Sequence, residues 1–99
     1  MIVVTGDLRI APENMEAVRE HMRPVIETTR KEDGCLSYSY GEDVLEPGLV
    51  RISERWLNWQ SLEAHGQTPH IAAWRDSLKK IGMIHREIVA YEVGRGRKL

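Results

Sequence analysis

The order of local periodicities predicts an α+β domain of the ferredoxin-like, split βαβ kind, in which an antiparallel sheet carries its helices on one face. Three observations carry that prediction. Alternating apolar residues mark four strand segments, a helical stripe follows the first of them, and a Thr-Pro corner divides the helical stretch before the last. The order is strand, helix, strand, strand, helix pair, strand.

The first strand, "MIVVTGDLRI", sets Ile2, Val4, Gly6, Leu8 and Ile10 on one side and Val3, Thr5, Asp7 and Arg9 on the other. "APEN" breaks it. Met15, Val18, Met22, Val25, Ile26 and Thr29 then follow the helical period to about residue 31, a stripe that needs a sheet to cover it. Pro24 lies inside, so either a bend or a helix that tolerates proline on its solvent side is expected. Gly34 ends that helix and "EDGCLSYSY" opens a strand with Leu36, Tyr38 and Tyr40 on one side.

After a loop around Pro47-Gly48, "LVRISERW" alternates again and aligns Val50, Ile52, Glu54 and Trp56. Asn58 is placed to cap a short helix, "WQSLEAH". Thr68 is the natural N-cap of the next helix and Pro69 its first residue. That helix carries Ile71, Trp74, Leu78 and Ile81 inward and stops at Gly82. The last strand, "IHREIVAYEV", places Ile84, Ile88 and Ala90 on one face and His85, Glu87, Val89, Tyr91 and Val93 on the other.

At 99 residues the chain is one domain, residues 1–94, with a basic tail at 95–99 read as a solvated terminus. Its own core is small. Val3, Leu49, Val89 and Val93 also lie on the nominally exposed sheet face, so a homodimer with the two sheets face to face is expected. Fourteen basic against fifteen acidic side chains leave no field that would steer nucleic acid. The single Cys35 excludes an internal disulfide and suits a reducing compartment. With no basic leader and no apolar run near the roughly 20 residues of a membrane span, a soluble cytoplasmic protein without membrane partners is the expectation.

The residues richest in chemistry lie in "EAHGQTPHIAAW", residues 63–74. On one continuous helix His65 and His70 would stand about 140° apart, unlike an i,i+4 metal pair on one face. Pro69 instead divides the segment, so the histidines sit on two elements meeting at a bend, where their side chains are free to converge or not. Glu54 shares the apolar side with Trp56 and must be hydrogen-bonded or see solvent; it either orients a histidine, lines a cavity or bonds backbone amides at the bend. A metal is disfavoured: only Glu54 offers an obvious carboxylate complement to His65 and His70, and the spacing does not require one.

The segments "EDGCLSYSY", "ERW" and "LEAHGQTPHIAAW" together resemble the antibiotic biosynthesis monooxygenase family, dimeric α+β barrel proteins that include small quinol monooxygenases. The family's glutamate two residues before a tryptophan, followed by spaced histidines, falls on Glu54, Trp56, His65 and His70. The resemblance implies cofactor-independent oxidation of a small planar phenol, hydroquinone or polycyclic aromatic by molecular oxygen. His65 would be the general base, since an imidazole near pKa 6.5 both takes and returns a proton at neutral pH, with His70 and Glu54 beside it. Trp56, Trp74, Tyr38 and Tyr40 would form the substrate-binding wall. No cofactor is implied, and the glycine-rich dinucleotide fingerprint is absent. Two other readings share the aromatic pocket: a non-catalytic module that binds an aromatic ligand, and a haem-degrading monooxygenase, which needs an axial ligand and room for the macrocycle.

Overall fold

The computed structural model describes all residues, 1–99. Its elements run β1 (Ile2–Ile10), a 3₁₀ turn (Pro12–Asn14), α1 (Met15–Thr29), β2 (Cys35–Glu42), β3 (Leu49–Trp56), α2 (Trp59–His65), α3 (Pro69–Ile81) and β4 (Met83–Glu92). The sheet order is β2-β3-β1-β4 with every neighbouring pair antiparallel. β1 and β2 are therefore parallel with β3 between them, and β3 and β4 are parallel with β1 between them. That is the ferredoxin-like α+β fold: two βαβ crossovers, each split by a strand of the other.

The helices cover one sheet face because their stripes and the inward strand residues are complementary. Val18, Met22 and Val25 of α1 and Ile71, Trp74 and Leu78 of α3 close over Leu8, Ile10, Val50 and Ile52 in one apolar cluster. Each such side chain contributes about 1.5–3 kcal/mol by leaving water. A second, smaller cluster joins Ile2, Val4, Tyr38 and Trp56 at the other end of the same face. Pro24 lies within α1 without ending it. Its side is exposed, as is Glu20 one turn before, so the carbonyl deprived of its amide partner faces water. One buried hydroxyl, Thr29 Oγ1, has no partner.

Two irregular registers change which residues point inward. Cys35 pairs with Trp56 and Ser37 with Arg55, so the intervening Leu36 leaves the core face and is half exposed. At the opposite corner Ile10 pairs with Met83 and Arg9 with His85. Met83 thus takes the inward position and Ile84, expected there, is exposed. Each bulge adds one residue and inverts the alternation beyond it. Leu49, expected on the outer face, is already buried: the 43–48 turn closes on it through Asp43 N–Leu49 O (2.9 Å) and Leu49 N–Glu46 O (3.1 Å). Elsewhere the outer face is largely polar, with Asp7 and Asp43 both against Arg51 at 3.6 and 3.5 Å. Residues 94–99 are exposed and carry no secondary structure. No helix is long and apolar enough to cross a membrane.

Candidate functional site

The corner between α2 and α3 is held by its own polar side chains. Asn58 accepts from Ser61 N at 2.9 Å and starts α2. Thr68 Oγ1 donates to His65 O at 2.8 Å and accepts from Ile71 N at 3.4 Å, so one hydroxyl ties the end of the first helix to the start of the second. Pro69 is at the first helical position of α3. His65 therefore ends one helix and His70 begins the next, and the bend turns both rings to the same side.

What they meet there is Glu32. Its backbone is pinned in the turn after α1, with Glu32 N on Thr29 O (3.0 Å) and Cys35 N on Glu32 O (3.2 Å). Gly34, at φ 80°, lets this turn lie directly on α2; a Cβ there would collide with Ser61. Glu32 Oε2 then accepts from His65 Nδ1 at 2.7 Å and from His70 Nε2 at 2.8 Å. A carboxylate offers only acceptors, so both of these ring nitrogens carry hydrogen and His65 keeps Nε2 free to accept.

The His65 ring is clamped between aromatics. Trp56 lies at 4.8 Å between centroids and 37° between planes, and Tyr38 meets it edge-on at 5.4 Å. His65 is buried to 6% exposure. Burial pulls its pKa below the usual histidine value and outweighs the Glu32 carboxylate, which acts in the other direction.

Beside His65, between the two apolar clusters, is a cavity of about 160 Å³. Tyr38, Tyr40 and Trp74 form its aromatic walls, Val4, Leu8, Leu62, Ile71, Leu78, Ile88 and Ala90 its aliphatic ones, and Glu54, His65, Arg75 and Arg86 its polar ones. Tyr38 and Tyr40 share a 2.7 Å hydroxyl–hydroxyl hydrogen bond. Burial raises both phenols, that of Tyr40 to about 12 and that of Tyr38 further, so they remain protonated donors at neutral pH. Glu54 accepts from Trp56 Nε1 at 2.9 Å, and burial raises its carboxyl above the ordinary range.

Five of the seven residues singled out in the sequence, His65, Glu54, Trp74, Tyr38 and Tyr40, share the cavity wall. Trp56 and His70 do not line it. Trp56 is fully buried behind His65 in the smaller cluster, packed with Ile2, Val4 and Tyr38 and stacked on the imidazole. His70 faces Glu32 instead. Glu54 bonds neither histidine nor the backbone of the bend; the indole two residues along the same strand face is nearer. Glu32, Arg75 and Arg86 were not singled out. Arg86 had a legible signal, since alternation places it between Ile84 and Ile88 on the apolar face of its strand, opposite Leu8. Glu32 had none: a charged residue two before a helix-ending glycine looks like any solvated turn.

A sequence profile described as antibiotic biosynthesis monooxygenase matches residues 1–77, a span holding α1, α2, most of α3, and Glu32, His65 and His70. The chain belongs to the antibiotic biosynthesis monooxygenase family. Among proteins of similar sequence is "Probable quinol monooxygenase YgiN" of Escherichia coli K12, 29% identical over 89 residues that cover 80% of this chain and 86% of that protein. An uncharacterized Synechocystis protein is 31% identical over 98 residues, 99% of this chain and 67% of its own length. A crystal structure from Deinococcus radiodurans bearing the same family name is 31% identical, covers 100% of this chain and 98% of that one, and superposes with a TM-score of 0.94. The likeness to the Deinococcus radiodurans structure extends beyond residue 77 through β4, which completes the sheet against β1 and contributes Arg86, Ile88 and Ala90 to the cavity.

Proposed function

We propose that the protein is a cofactor-independent monooxygenase that oxidises a single-ring hydroquinone or phenol with molecular oxygen. The observation that carries this reading is the pairing of an acceptor nitrogen, His65 Nε2, with an aromatic cavity of about 160 Å³. Cavities of about 150 Å³ accept a benzene-sized guest, so the space matches a single ring. The quinol name of the Escherichia coli relative agrees with that choice.

In the proposed reaction His65 Nε2 takes the hydroxyl proton, and Glu32 on Nδ1 stabilises the imidazolium that forms. Arg86 and Arg75 supply positive charge at the cavity wall for the phenolate, and the Tyr40 hydroxyl a neutral donor. The electron-rich anion then reacts with oxygen. One oxygen atom enters the ring and the other leaves as water, so a hydroquinone yields a hydroxyquinone.

We further propose a cytoplasmic homodimer with its sheets face to face, supported by Val89 and Tyr91 on the outer face of β4, 41% and 52% exposed. Light scattering that reads a monomer would remove this part alone.

The test is aerobic against anaerobic incubation of the EDTA-treated protein with methylhydroquinone. Oxygen uptake matched by hydroxyquinone, without flavin or metal, is the expected result. Saturable binding without turnover would instead make the protein a module that binds an aromatic ligand.

A further inference from the structure

We infer that Glu32, His65 and His70 form a binding site for one divalent transition cation of the Zn²⁺ class, behind the His65 ring as seen from the cavity. Glu32 Oε2, His65 Nδ1 and His70 Nε2 all lie within 4.8 Å of one another. They come from three separate elements: the turn after α1, the last residue of α2 and the first turn of α3. The inference goes beyond the proposed oxygenase and does not depend on it, because neither Glu32 nor His70 borders the cavity.

The donor set is that of a two-histidine, one-carboxylate site, suited to borderline cations and poorly suited to Mg²⁺ or Ca²⁺. Zinc bonds of about 2.0–2.1 Å place tetrahedral ligand atoms roughly 3.3 Å apart. The carboxylate–imidazole separations of 2.7 and 2.8 Å would open by about half an ångström, and the two imidazole nitrogens, at most 4.8 Å apart, would close by up to about 1.5 Å through χ rotations of the two histidines. The supporting shell is already in place. Trp56 and Tyr38 hold the His65 ring, Thr68 fixes the backbone between the two histidines, and Gly34 brings Glu32 onto α2. Side-chain exposures of 7% for His65, 15% for Glu32 and 20% for His70 describe a pocketed cluster with solvent access on the His70 side, where a cation enters and a water completes the coordination.

Occupancy has a consequence for His65. An ion on Nδ1 displaces the hydrogen from that nitrogen to Nε2, the nitrogen of this cavity-lining ring that Glu32 leaves free to accept. A group able to take a proton there becomes a donor. Zinc is thus expected to silence the base rather than assist it, while leaving the aromatic cavity in place.

The test is titration of the EDTA-treated full chain with ZnCl₂, read by calorimetry and by metal content after gel filtration. One zinc per chain is expected. Glu32→Gln and His70→Ala should each weaken binding by more than about tenfold, whereas His21→Asn and His85→Ala, altering the two exposed histidines elsewhere, should leave it unchanged. Imidazole ¹⁵N resonances of the unmodified protein give a readout independent of variant folding: zinc should shift His65 and His70 and spare His21 and His85. Absence of stoichiometric binding, equal affinity in Glu32→Gln or His70→Ala, or shifts confined to His21 or His85 would each overturn the site. Should the protein prove to have no oxygenase activity, the same measurements would still decide it.

Discussion

The two ends of the helix-covered sheet face are built on different terms. Beneath the middles of α1 and α3, eleven buried apolar residues form one cluster in which no side chain asks for a hydrogen bond except the indole of Trp74. At the other end the cluster has four members, two of them Tyr38 and Trp56, and three ionisable groups, Glu54, His65 and Glu32, are wholly or largely withdrawn from water around it. There the polar groups are matched to one another: Glu54 with Trp56, Tyr38 with Tyr40, Glu32 with both histidines. The apolar end stabilises by removing area from water. The polar end gains little net stability from partners that merely replace water, but it holds an imidazole at fixed orientation beside a cavity. The lesson is that stability and chemistry have been divided along one sheet face.

That division can be broken from either side. The largest expected effect is His65→Gln, which keeps an N–H for Glu32 but removes the base: kcat for a hydroquinone should fall by about 10²–10⁴-fold with KM nearly unchanged. Steady-state oxygen uptake reads it, and a variant retaining most of its turnover would move the base elsewhere, to Glu54 first. From the apolar side, Ile52→Ala should cost about 2–5 kcal/mol in urea denaturation while kcat of the folded fraction stays near that of the parent. Loss of turnover without loss of stability would show that the two ends are not separable.

A smaller effect sharpens the comparison through pH. His65 is held below its ordinary value by burial, so between its folded and unfolded pKa values the unfolded chain binds more protons, and the His65 contribution to stability falls as pH drops below about 6.5. Glu54 acts with the opposite sign, its raised carboxyl binding a proton in the native state at pH values where the unfolded chain has lost it. Glu54→Gln therefore isolates the histidine in a pH series of urea midpoints. The acid limb of kcat/KM should likewise lie below about pH 6.5, and Glu32→Gln, which removes the carboxylate that opposes burial, should move it lower still. A limb unmoved by Glu32→Gln would reduce Glu32 to a structural prop. The smallest effect is at the C-terminal end of α1: Thr29→Val replaces a buried hydroxyl without a partner by an isosteric methyl and should be neutral or stabilising by up to about 1 kcal/mol.

How much of this was legible in the chain differs residue by residue. Alternation placed Tyr38, Tyr40 and Glu54 on the face where the cavity opens, and helical period did the same for Trp74, because both follow from backbone geometry alone. The same alternation misplaced Leu36 and Ile84, since a bulge leaves no mark in side-chain pattern and reverses the face beyond it. Strand alternation alone makes Trp56 a wall, whereas in the fold it is a buried support for His65, a distinction set by which ring stands in front, which periodicity cannot order.

By itself the sequence determined the element order, the split βαβ arrangement, the capped corner at Thr68-Pro69 and the family. Each rests on local propensity or on a motif a few residues long. Only the tertiary structure decided that the carboxylate between the histidines is Glu32 rather than Glu54, and that His65 reaches the cavity while His70 stands behind it. Those facts depend on chain segments 33 and 38 residues apart meeting over Gly34, and on an edge strand pairing with β1 to carry Arg86 to the cavity. Contacts at such separation are selected by the packing of the whole domain, and no short window of sequence contains the energy that selects them.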